Sequence, residues 1–178
     1  YLDKHKDVFE CAGFSAPFMG VPGVSSLPEP ILLPLTRAFS QIAGKAYAKG
    51  QKDWSPITRP EAPGEGDFSS DPARDSLHQQ WLNANPELQI GGVTYRWVYE
   101  ALKACKKAKK AAGQVETPSL IAIAGDDKIV DNSKIKTTPN SRLLQLEGSK
   151  HEILMETDEI RTRFLDNFYD LIRENILE

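Results

Sequence analysis

An α/β fold with a parallel sheet follows from three features of the sequence. The first is the apolar run Leu120-Ile121-Ala122-Ile123-Ala124, closed by Gly125 and the acids Asp126 and Asp127. A short run that is apolar at every position reads as a strand buried on both faces, and sheets buried on both faces are parallel. The second is another β-like run, Arg142-Leu143-Leu144-Gln145-Leu146-Glu147, followed by the loop Gly148-Ser149-Lys150-His151. The third is helical periodicity before and after these runs, which supplies the layers a buried sheet requires.

The elements follow in chain order. Residues 8–16 alternate weakly and then turn apolar, which predicts a strand ended by Pro17. Prolines and glycines crowd residues 19–34, an irregular exit from the sheet. From Ile31 to Lys49, Leu32, Leu35, Ala38, Phe39, Ile42, Ala43 and Ala46 recur at helical spacing, with Gly50 as the stop. Gln51 to Asp71 is rich in Pro, Gly and acids and reads as a loop, the most mobile-looking segment. Asp71-Pro72-Ala73-Arg74-Asp75 then opens a helix with a capping acid, a proline at the first position and a further acid in the first turn. It ends before Pro86.

Val93 to Ala112 is the clearest amphipathic helix. Trp97, Ala101, Cys105, Ala108 and Ala112 share one face, and Lys103, Lys106, Lys107 and Lys110 the other. The basic face has two readings, a solvated surface or a headgroup-binding contact with a peripheral membrane. Gly113 ends this helix. Asp131 to Ile135 predicts a short helix, and Thr157 caps a last one whose Ile160, Phe164, Phe168, Ile172 and Ile176 form a core-facing stripe.

Composition bounds the function. One domain of 178 residues has chain enough for a real core. A net charge of −3 makes no case for nucleic acid. Cys11 and Cys105 fit no metal spacing and read as free thiols, which points to a reducing, cytoplasmic setting. No apolar run approaches the ~20 residues that span a bilayer.

The chemistry concentrates at one sheet edge. Acids just past the C-terminal end of a parallel strand sit where α/β sheets place their chemistry. A lone histidine past the end of the next strand sits at the same edge, and an acid followed by a histidine is half of a nucleophile–His–acid triad. Asp126, Asp127 and Asp131 compete for the acid, with Asp126 also fitting a turn and Asp131 a helix cap. Glu152 and Glu156 flank the base and read as supports of its loop. His5 and His78 have no such context; His78 reads as a surface residue.

The segments 124–132 (Ala-Gly-Asp-Asp-Lys-Ile-Val-Asp-Asn) and 148–156 (Gly-Ser-Lys-His-Glu-Ile-Leu-Met-Glu) resemble the acid and histidine motifs of α/β-hydrolases. Within that superfamily they are most similar to the monoacylglycerol lipase and bacterial lysophospholipase group. The likeness continues through the last helix and reaches back to Gly13-Phe14-Ser15-Ala16-Pro17. It implies that Asp127 is the acid, being followed by a basic, an apolar and a Val position, and that His151 is the base. It implies the C-terminal part of the hydrolase sheet, three parallel strands with flanking helices, plus a helical lid insertion. The divisions implied are 1–19 core, 20–92 lid and 93–178 core carrying acid and histidine.

No Gly-x-Ser-x-Gly elbow occurs in the 178 residues, and Gly13–Pro17 has Pro where the second Gly belongs. The resemblance therefore implies a nucleophilic serine upstream of residue 1, in an N-terminal half of the same fold, with Tyr1 to Lys6 as a helix tail. The activity implied is that of a serine carboxylic-ester hydrolase acting on a small monoacyl lipid ester, with no metal or organic cofactor. A prolyl-type serine aminopeptidase is the alternative enzyme, and a non-catalytic binding protein on the same scaffold the alternative class. Phe18, Met19, Leu27, Ile31, Leu32, Leu33, Phe39 and Trp54 are either an acyl-chain pocket or the lid's own core.

Overall fold

The computed structural model describes residues 1–24, 27–55 and 66–177. Three strands form one sheet: β1 (Ala12–Ser15), β2 (Ser119–Ala124) and β3 (Ser141–Leu146), in the order β1-β2-β3. Both pairings are parallel, with Ala12 opposite Ser119 and Ser119 opposite Ser141. The central strand is buried at all six positions, the pattern that its apolar run predicted. Among the described residues four α-helices accompany the sheet: α1 (Glu29–Ala43), α2 (Pro72–Ala84), α3 (Tyr95–Ala112) and α4 (Asp158–Ile172).

Helix α4 packs on one face of the sheet. Its Phe164 and Leu171 join Leu120, Ala122 and Ala124 of β2, Leu146 of β3 and Ile153 in one buried cluster. Ile160 and Phe168 pack against that cluster, as their spacing predicted, but the stripe then shifts to Leu171 and leaves Ile176 exposed. A repeat of four drifts off a helix of 3.6 residues per turn, and a step of three corrects it. Beyond Ile172 the helix loosens into a π-helical turn over Arg173–Leu177. On the opposite face, Ile121 shares a cleft of about 270 Å³ with Ala108 and Ala112 of α3.

The local signals that define helix starts act as expected. Asp71 accepts from the backbone N–H groups of Ala73 and Arg74 and caps α2, with Pro72 at the first position. Thr94 accepts from Trp97 N–H and caps α3. Ala101, Cys105 and Ala112 of α3 are buried, whereas Trp97 is half exposed at the helix start, near Phe18. Cys11 and Cys105 are both free thiols.

Four expectations are corrected. Helix α1 stops at Ala43 rather than running to Lys49, because the next residues pair elsewhere: Ala48 N–H bonds Val93 C=O, while Gly44 and Ala46 C=O accept from Arg96 and Tyr95. The strand before Pro17 is four residues long, and its exit runs through a left-handed Ala16 (φ 42°). Tyr1 to Lys6 is a pair of turns, not a helix tail, with Tyr1 C=O accepting from Lys4 and His5. Thr157 caps α4 by position only; no side-chain hydrogen bond accompanies it. Of the predicted loop 51–71, residues 51–55 and 66–71 carry no helix or strand, and residues 56–65 lie outside the described ones.

Leu120 is 1% exposed at the centre of the main cluster. Leu120→Ala should lower stability by about 2–5 kcal/mol through lost burial and a cavity. Asp71→Ala, which removes the α2 cap and a 3.8 Å ion pair with Arg74, should cost about 0.5–2 kcal/mol. Urea unfolding of the full-length protein orders the two, and equal midpoints would contradict this account of the core.

Candidate active site

The site begins where β2 ends. At Gly125 the chain turns so close to β3 that a Cβ would lie 2.9 Å from Leu146 C=O and 3.0 Å from Glu147 Cα. Only glycine permits that approach. It lets Gly125 N–H bond Leu146 C=O at 2.9 Å, and Asp126 N–H then bonds Ser149 C=O at 2.8 Å. The turn carries Asp127 inward. Its side chain is fully buried, and Oδ1 accepts from the N–H groups of Ile129 (2.8 Å) and Val130 (2.9 Å). Asn132 donates to Ala124 C=O at 2.7 Å, closing the end of the strand.

The partner side chain arrives from β3. Gly148 adopts φ 74°, the left-handed conformation that suits glycine, and reverses the chain after Leu146. Ser149, fully buried, donates from Oγ to Leu146 C=O at 2.8 Å. Two residues on, His151 Nδ1 donates to Asp127 Oδ2 at 2.9 Å, with the imidazole side chain 24% exposed. An imidazole that donates from Nδ1 keeps Nε2 as its acceptor.

The other acids take separate roles. Asp126 is exposed and serves the turn through its backbone. Asp131 caps the short helical turn Asn132–Lys134, accepting from Ser133 N–H at 3.1 Å and Ser133 Oγ at 2.6 Å. Ser15 lies opposite Ala122, on the side of β2 away from β3. No group of three or more His, Cys, Asp or Glu suited to a metal ion occurs among the described residues.

The electrostatics of the pair are mutual. Burial pushes the Asp127 carboxyl up, but the hydrogen bonds from His151, Val130 and Ile129 outweigh it and hold the group below its ordinary range. The hydrogen bond to Asp127 raises His151 above the ordinary imidazole value, against the opposing effect of burial, with Glu152 adding to the rise.

Residues 1–158 match the family described as "Serine aminopeptidase, S33". The chain belongs to this hydrolase family. It is 28% identical over 178 residues to the probable lysophospholipase L2 of Haemophilus influenzae, covering 93% of this chain and 52% of that protein. It is 26% identical over 189 residues to lysophospholipase L2 of Escherichia coli K12, covering 98% and 54%. The fold is similar to that of a soluble variant of monoglyceride lipase from Saccharomyces cerevisiae solved with a substrate analog (TM-score 0.60, 15% identity, 97% of this chain and 58% of that one). A second likeness is to monoacylglycerol lipase of Paleococcus ferrophilus (TM-score 0.53, 13% identity, 97% and 62%). The chain spans about half the length of the curated relatives it matches, and its three strands form part of an α/β-hydrolase sheet.

In this hydrolase chain the histidine loop is held by a segment that sequence reasoning treated as loop. Asp67 C=O accepts from His151 N–H at 3.4 Å, and Phe68 C=O from Glu152 N–H at 2.9 Å. His78 is not the surface residue expected: it is half-buried, stacks on Phe68 (4.2 Å between ring centroids) and bonds Glu152 at 3.1 Å. Of the apolar residues weighed as an acyl pocket, Met19, Leu27, Leu32 and Leu33 line a cleft of about 290 Å³ with Leu102 and Cys105. Phe39 instead stacks on Tyr95 at 5.6 Å. On the basic face of α3, Lys103 pairs with Glu100, and Lys106 and Lys109 pair with Glu29. No helix among the described residues is long and apolar enough to cross a membrane.

The shifted pair has a definite pH signature. The lowered carboxyl contributes stability above its ordinary value and loses it as pH falls through its folded one. The raised imidazole contributes stability below its ordinary value and loses it as pH rises through its folded one. The ion pair is therefore complete only between these limits. In the full-length protein, NMR titration of the His151 ring should give a midpoint above that of an ordinary histidine, and Asp127→Asn should lower it. Identical midpoints in the two proteins would rule out the coupling.

Proposed function

We propose that this chain carries the acid and base of a serine carboxylic-ester hydrolase acting on monoacyl lipids of the lysophospholipid or monoacylglycerol kind. The observation that carries the reading is the 2.9 Å contact of His151 Nδ1 with a buried Asp127 at the C-terminal rim of the sheet. In the proposed reaction Nε2 of His151 takes the proton of a serine hydroxyl as the serine attacks the ester carbonyl. It then returns that proton to the leaving alcohol, and water releases the acyl group by the same route. Asp127 fixes the tautomer and stabilises the imidazolium. That serine is not carried in a Gly-x-Ser-x-Gly elbow within these 178 residues. The relatives named lysophospholipase L2 and the two lipase folds favour a monoacyl ester as substrate, and the cleft between α1 and α3, lined by Met19, Leu27, Leu32 and Leu33 together with Glu29, Lys109 and Lys134, offers a place for its chain.

The proposal treats residues 1–19 and 93–178 as core and 20–92 as the lid, which holds α1 and α2 and joins β1 to α3. The setting is cytoplasmic. The ion pairs of Lys103, Lys106 and Lys109 favour a solvated basic face on α3 over a membrane contact. The family description as a serine aminopeptidase supports a second reading, hydrolysis of an N-terminal peptide bond by the same groups.

The full-length protein should label with a fluorophosphonate probe and turn over monoacyl esters faster than aminoacyl arylamides. The reverse preference selects the peptidase. Asp127→Asn should lower kcat by about 10⁴-fold, the size of effect seen when a triad acid is neutralised, and His151→Ala should abolish labelling. Full labelling and turnover in both variants would end the proposal.

A further inference from the structure

A second buried carboxylate lies five residues beyond His151, outside the acid–base pair. Glu156 is 0% exposed, and a buried ionised group is stable only when its oxygens are filled by donors. Four donors fill them. Oε1 accepts from Lys150 N–H at 2.7 Å and Ser70 N–H at 2.9 Å. Oε2 accepts from Thr157 N–H at 3.2 Å and from Ser70 Oγ. Two of these donors lie in or next to the histidine loop, at Lys150 and Thr157, and two belong to the segment that leads into α2.

That segment has hydrogen bonds of its own. Asp75, also buried, accepts from Gly66 N–H at 3.1 Å and Ser69 N–H at 3.3 Å. Ser69, fully buried, donates to Met155 C=O at 2.7 Å, and Lys150 Nζ donates to Gly66 C=O at 2.5 Å. The Arg74 guanidinium bonds Glu156 C=O and Asp158. Residues 66–75 thus form a polar template against which residues 150–158 are set, and the Glu156 carboxylate bonds both.

We propose that Glu156 is a positioning residue for His151: it transmits the placement of the 66–75 arm to the imidazole and so holds Nδ1 on Asp127. Lys150, whose N–H it holds at 2.7 Å, immediately precedes the histidine, so a shift at Oε1 moves the ring directly. The proposal rests on the serine-hydrolase reading for its kinetic consequence, but not for its geometric one.

Glu156→Gln keeps the side chain's size and turns an amide N–H₂ toward N–H donors. In the full-length protein it should lower kcat by about ten- to a hundredfold, the scale of small misplacements in an active site, with KM changed by less than about threefold. It should also weaken the far-downfield proton resonance of the His151–Asp127 hydrogen bond while thermal unfolding stays cooperative. Glu156→Asp, which keeps the charge, should recover part of both. Ser70→Ala removes one donor and should act in the same direction to a smaller degree, which tests the link if Glu156→Gln does not fold. Loss of thermal stability with kcat and the resonance both unchanged, in whichever variant folds, would overturn the proposal. The resonance needs no turnover, so it reports on positioning even if the wild-type protein hydrolyses no ester.

Discussion

The structure depends on how closely the ends of β2 and β3 approach. Gly125 N–H reaches Leu146 C=O at 2.9 Å and Asp126 N–H reaches Ser149 C=O at 2.8 Å. The parallel ladder is thereby continued past the last paired residues, Ala124 and Leu146. This contact makes two turns into one object. Asp127 cannot shift without dragging the backbone that Ser149 holds, and His151 is two residues from that grip. A site assembled from two separate loops would lose conformational entropy each time it formed. Here that loss is borne by a fully buried strand and the cluster of Leu120, Ala122, Ala124, Leu146 and Phe164 behind it.

Buried charge is handled alike at both key carboxylates. Asp127 accepts two main-chain N–H groups and an imidazole, and Glu156 three main-chain N–H groups and a hydroxyl. Main-chain donors do not rotate away as side chains do, so each carboxylate is held in one orientation at small further entropy cost. The exposed pairs differ. Lys103–Glu100 and Arg161–Asp158 join partners three residues apart on one helix, where solvent screens their attraction.

How much was legible follows from the range of each interaction. The apolar run of β2, the Asp71-Pro72 start of α2 and the Gly113 end of α3 depend on neighbours in sequence, and all were readable. That an acid after β2 would meet His151 was also readable, since parallel strands that end level bring their following loops together; the choice of Asp127 over Asp126 and Asp131 came from the family resemblance. The end of α1 was not, because Gly44 and Ala46 bond residues about fifty positions later, and intrinsic propensity cannot register that competition. Trp97 was placed on the buried face by spacing alone, but in the first turn of α3 it stays half exposed beside Phe18. His78 was invisible for a different reason: its environment is made by Phe68 and Glu152, which no periodicity connects. The Asp67–Asp75 region carried one faint signal, serines and acids clustered before a helix, which reads equally well as any polar loop.

The polar character of that arm has a physical purpose. An apolar contact of similar size would stabilise the histidine loop as well, but it tolerates sliding, since burial depends on area rather than direction. Hydrogen bonds weaken steeply as their angles depart from linear, so a set of them fixes orientation as well as distance. The contacts of Phe68 with Glu152, Ser69 with Met155 and Ser70 with Glu156 tie three successive arm residues to the loop and so set one register between them. In the proposed reaction, a base that must hold Nδ1 on one partner and aim Nε2 at another needs that single register more than it needs additional stability. The fold accordingly stabilises the sheet with hydrocarbon and sets the imidazole with directional bonds.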